Sequence, residues 1–144
     1  MKHWSDYVRV SWNLAAEAQS TTQAHLEPEV EAFLVHVMAR SFERTDFWSV
    51  PVAVAMLEAK SMPRSHRKPI LRSLGEECLF IDAWELKKTR WPNSTYFREM
   101  GSIAFGQASV LPRPVDEMLD IASLQFGTLS KVLRGVRDLY LPKH

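Results

Sequence analysis

One cysteine, five glycines and no surplus of either charge are what this 144-residue sequence has least of, and each shortage closes off a class of protein. A lone thiol cannot form an internal disulfide, so a disulfide scaffold is excluded and a reducing compartment is the default. Five glycines are about half of what average usage would place in this length, which disfavours turn-rich β architectures and glycine-rich phosphate loops. Eighteen Lys and Arg against seventeen Asp and Glu leave a net charge of +1. That is too little for a whole-molecule field that draws in nucleic acid or a membrane surface. The longest run without Asp, Glu, Lys or Arg, from Met100 to Pro112, is about two-thirds of what a membrane-spanning helix needs. The opening residues Met1-Lys2-His3-Trp4-Ser5-Asp6 contain an acid and no apolar stretch, unlike a secretory signal. The expectation is a cytoplasmic chain of one domain, residues 1–144, long enough to bury a core unaided.

What is present is helical periodicity. After Pro114, the residues Val115, Met118, Leu119, Ala122, Phe126, Leu129, Val132, Leu133, Val136 and Tyr140 recur at three- and four-residue steps. Asp116, Asp120, Ser123, Ser130, Arg134 and Arg137 fall on the other side, with acids early and bases late as the helix dipole favours. Pro28 opens a second helix with Val30, Phe33, Leu34, Val37, Met38 and Phe42 as its stripe. Residues 50–60 read as a short apolar helix, residues 61–69 as a connector with two prolines, and residues 4–19 as a first helix before a polar link at 20–23. Asn93 or Ser94 can cap a helix whose inner face holds Tyr96, Phe97, Met100, Ile103, Ala104 and Ala108, with Gly101 beside them. The fold expected is all-α: a single bundle of about six helices, with a central apolar helix near 70–88 and a long amphipathic C-terminal helix near 114–140.

The segment 70–88 is apolar on almost every side, which is the pattern of a helix at the centre of its domain. Its polar residues between Ser73 and Leu86 are Glu76, Glu77, Asp82 and Glu85, with no base among them. Buried carboxylates need a counter-group, and Arg or His from another helix is the obvious one. Leu74-Gly75-Glu76-Glu77-Cys78-Leu79-Phe80, followed by Tyr96-Phe97-Arg98-Glu99-Met100-Gly101-Ser102-Ile103-Ala104-Phe105, resembles a group of uncharacterised bacterial helical proteins. The resemblance covers about residues 66–108 and departs where Glu76 stands for Asp and where Phe97 and Phe105 stand for Tyr. It implies the helical fold and no activity.

The chemistry-bearing patterns are few. The five histidines, His3, His25, His36, His66 and His144, form no paired Glu-x-x-His and no His-Glu-x-x-His, so neither a di-iron nor a zinc site is expected, and no cofactor. Cys78 lies among apolar neighbours, where a thiol acts as a small hydrophobe. No nucleophile elbow, P-loop or dinucleotide fingerprint nominates an enzyme. Lys60, Arg64, Arg67, Lys68 and Arg72 form an acid-free basic cluster, and Trp91 follows Lys87, Lys88 and Arg90. Cations beside an exposed Trp suit a protein interface, so Arg64, Arg67, Lys68 and Trp91 are the partner-surface candidates. The leading expectation is a non-enzymatic interaction or regulatory module that docks a protein partner or a second copy of itself as a homodimer, with no membrane contact. Two alternatives stand beside it. One is a helical sensor holding an apolar small molecule in a pocket at His36, Cys78, Asp82 and Tyr96. The other is nucleic-acid contact through the 60–72 connector, which the balanced charge disfavours.

Overall fold

A computed structural model describes residues 3–43, 52–84, 95–111 and 114–140. Among the described residues seven helices follow one another: α1 (Trp4–Thr22), α2 (Pro28–Ser41), α3 (Val52–Ser61), α4 (Arg64–Trp84), α5 (Tyr96–Ser109), α6 (Glu117–Leu124) and α7 (Phe126–Tyr140). Of the described residues, 85% are helical and none is in a strand, so the all-α expectation holds. Trp48, Glu85, Leu86, Trp91, Asn93 and Ser94 lie outside the described residues.

The buried cluster draws residues from all seven helices. Helix α4 packs against α3, α5 and α7, and α1 packs against α2 and α7. Leu71, Leu74, Cys78, Leu79, Ile81 and Ala83 of α4 are all buried, as its apolar circumference requires. Asp116 caps α6 by accepting from the Leu119 N–H at 3.1 Å. At the α1–α2 turn, Gln19 accepts from the Leu26 N–H at 2.9 Å and donates to Glu31.

Four features differ from the sequence expectation, each for a physical reason. The C-terminal helix is two helices, broken at Gln125, because α6 lies along α5 while α7 runs against α1 and α4. One straight cylinder could not serve both, and the break drops the Phe126 ring beside Phe105 with centroids 5.9 Å apart. Helix α4 begins at Arg64, so most of the supposed connector is helical and Pro69 sits inside the helix. Proline there removes one backbone hydrogen bond, a local loss that the packing of the following turns outweighs. Helix α1 runs to Thr22, its last turn closed by the Thr21 and Thr22 hydroxyls donating to Ala18 O at 3.2 and 2.6 Å. On α5 the inner face is centred on Gly101, Ala104, Phe105 and Ala108, which leaves Ile103 46% exposed.

Candidate functional site

The most polar buried point lies near the end of α4. The Asp82 side chain is 3% exposed and accepts from the Ser130 hydroxyl of α7 and from Arg98 Nε of α5 at 3.3 Å. Arg134 reaches the same carboxylate at 4.0 Å and donates to the Asp82 carbonyl at 3.1 Å, while Arg137 donates to Ala83 O at 3.3 Å. Two arginines of α7 thus donate to backbone carbonyls near the end of the described part of α4. A charge buried this far requires pairing and hydrogen bonds, and here it has both.

Glu76, one and a half turns earlier, is held by a second arrangement. Arg40 of α2 grips its carboxylate in a fork, Nε to Oε1 at 3.2 Å and Nη2 to Oε2 at 3.0 Å. Arg72 lies one turn back on α4 with Nε 3.3 Å from Oε2. A groove of about 600 Å3 opens over this triad, with Lys68, Glu43 and Pro69 also on its walls. A second groove, of about 520 Å3, runs between α5 and α6 past Ser102, Ile103, Ser123 and Leu124, with Arg98 at one end.

Cys78 is fully buried, and its thiol is pushed up to about 12, first by loss of hydration and then by the negative charges of Glu77 and Asp82. Only the thiolate is nucleophilic. Iodoacetamide at pH 8 is therefore expected to leave Cys78 unmodified in the folded protein and to label it promptly in urea; labelling at equal rates in both would show an accessible thiol. Asp116 carries the opposite shift. Burial opposes its charge, but the hydrogen bonds from Lys68 and from the Leu119 N–H outweigh that and hold its carboxyl below the usual range.

The four pocket candidates are not gathered together. Cys78 and Asp82 stand one turn apart on the buried side of α4. Tyr96 is half-buried at the start of α5 with its ring edge on Phe97, centroids 5.1 Å apart. His36 is exposed on α2, with Nδ1 2.8 Å from Ala32 O and its ring 6.4 Å from Trp4. It faces α1, while the partners of Asp82 come from α5 and α7. Among the partner-surface candidates Arg64 is exposed, Arg67 donates to Met62 O at the end of α3 at 2.7 Å, and Lys68 pairs with Asp116 at 2.9 Å. Trp91 lies outside the described residues.

The expectation that arginines from other helices would meet the carboxylates of α4 is met by Arg40 and Arg98. Ser130 is a correction: placed on the polar face by sequence, it is 1% exposed and faces Asp82. The signal was there, since Ser130 lies between Phe126, Leu129 and Leu133 in the apolar stripe. Among the described residues, no three His, Cys, Asp or Glu side chains come together as a metal ion requires. No described helix is long and apolar enough to cross a membrane. Comparison with protein-family models, with curated proteins and with solved structures finds no match for this chain.

Proposed function

We propose that this chain is a non-enzymatic helical interaction module that pairs with a second copy of itself through two exposed apolar faces. The observation that carries the reading is Leu124, 79% exposed beside Ile103 on the groove between α5 and α6. Exposed acids Glu99, Glu117 and Asp120 border that face. Helix α3 supplies the complement. Val54 and Leu57, the latter 67% exposed, lie on its outer side with Lys60 one turn on, and Arg64 begins the next helix. Each edge is mixed in sign, with Glu58 beside Lys60 on α3 and Arg98 beside Glu99 on α5, so the apolar residues supply the attraction and the charges set the register. A two-fold axis sets α3 of each copy on α5 and α6 of the other, burying the same pair of contacts twice. A stable contact of this kind covers about 800 Å2 on each copy. The burial of Cys78 and the arginine pairing of buried Glu76 and Asp82 support a structural rather than catalytic use of those groups.

Sedimentation velocity with the full chain tests the pairing. The wild type is expected to be dimeric at about 50 μM, an ordinary affinity for an interface of standard size. Leu57→Asp or Leu124→Asp alone should weaken it at least about 100-fold, since each removes apolar burial at two symmetric contacts. The mixture is the sharper arm. Each variant retains the face the other has lost, so mixing them should restore one of the two contacts and produce a heterodimer. A monomeric wild type, a dimer untouched by both substitutions, or a mixture no more associated than its parts defeats the proposal.

A further inference from the structure

Glu76 places one negative charge between two guanidinium groups, Arg40 and Arg72, at the floor of the groove between α2 and α4. One positive charge is left over at the bottom of a concave surface. Lys68, on the wall, is paired with Asp116 as a neutral couple, and Glu43 also lines the groove, so what sets the floor apart is its excess of guanidinium donors over acceptors rather than a large net charge. The donors are uneven as well. Arg40 commits Nε and Nη2 to Glu76, which leaves Nη1. Arg72 Nε is buried with no hydrogen-bond acceptor, because its approach to Oε2 is off the bonding direction. Its two Nη groups add four more N–H donors on the same planar fork. A carboxylate, with two oxygens, cannot use so many; a phosphate group offers three oxygens with the geometry guanidinium forks recognise. Pro69 and the aliphatic stems of the arginines make an apolar wall beside that charge.

We propose that this groove binds a small organic phosphate monoester, its phosphate seated on Arg72 and Arg40 with Lys68 turning inward from Asp116, and its organic part against Pro69. The site goes beyond the self-association reading and does not depend on it. It lies on α2 and α4, and its test is read in the monomeric Leu124→Asp background as well as in the wild type.

The probes are inorganic phosphate, phenyl phosphate and benzoate, titrated at constant ionic strength against chloride. Arginine Nε–H resonances and the thermal midpoint serve as readouts. Phosphate is expected to shift the Nε–H signals of Arg72 and Arg40 saturably and to raise the midpoint by a few degrees, as any ligand of the native state does. Phenyl phosphate should bind severalfold more tightly than phosphate. Arg72→Gln should weaken both at least tenfold and Lys68→Gln severalfold, while Arg9→Gln, whose arginine pairs with Asp6 on the far surface of α1, should change nothing. If Arg72→Gln fails to fold, the Lys68→Gln titration and the Nε–H shifts of the wild type still decide the matter. Non-saturating shifts, shifts confined to other arginines, equal binding by Arg72→Gln and wild type where the variant folds, or response to benzoate without response to phosphate each overturn the assignment.

Discussion

Gly101→Leu is expected to lower the free energy of unfolding by about 3 kcal/mol or more, read as a fall in the urea midpoint at unchanged slope. A Cβ built on Gly101 lies 2.4 Å from two atoms of the Phe126 ring and 2.8 Å from Cys78 Cβ. These are core atoms of α7 and α4, each enclosed by its own neighbours, so relief has to come from moving helices apart. Leucine adds three carbons beyond that first clash. The gain in helix propensity on leaving glycine is about 1 kcal/mol and cannot compensate. Gly101→Ala should show the same sign at lower cost, about 1–2 kcal/mol, once its own gain in propensity is subtracted. A Gly101→Leu protein as stable as the wild type would mean that α5 does not rest on Phe126 and Cys78. Gly75 is a parallel case, with the Phe105 ring 2.7 Å from where its Cβ would stand.

Asp82→Ala is expected to cost about 3 kcal/mol, the lower end of what breaking a buried ion pair costs. The discount has a structural reason. Removing the carboxylate strands the buried Ser130 hydroxyl, but Arg98 and Arg134 are 42% and 35% exposed and can turn to water. Asp82→Asn keeps the shape and an acceptor for Ser130 while removing the charge, and it should cost about half as much. A double-mutant cycle with Ser130→Ala isolates the buried hydrogen bond. A coupling below about 0.5 kcal/mol would show that the two groups do not meet in solution. Chemical denaturation of the four proteins at neutral pH supplies the measurement.

Much of the helical content is legible in the sequence. Strict three- and four-residue spacing, prolines at helix starts and charges graded along helix dipoles are local signals, and local signals survive without knowledge of the fold. The buried circumference of α4 was legible for the same reason, as was the need of its carboxylates for arginines. What the sequence could not specify was which arginine meets which acid. Arg40 and Arg98 lie 36 and 16 residues from their partners, and many pairings satisfy the same rule. The break at Gln125 was equally invisible, because the apolar stripe of residues 115–140 runs through it without interruption. It arises from a demand external to the segment: α6 must lie on α5 and α7 on α1 and α4. Ile103 and Phe105 show the same limit at one residue's scale. Both are apolar and two positions apart on α5, and periodicity allows either to face inward. The notch at Gly75, which only packing reveals, admits Phe105 and leaves Ile103 on the surface. The sequence by itself therefore determined the class of fold and the helices' apolar faces, since these follow from backbone geometry and hydration. Tertiary structure alone decided pairing, kinks and exposure, because those depend on atoms distant in the chain competing for the same space.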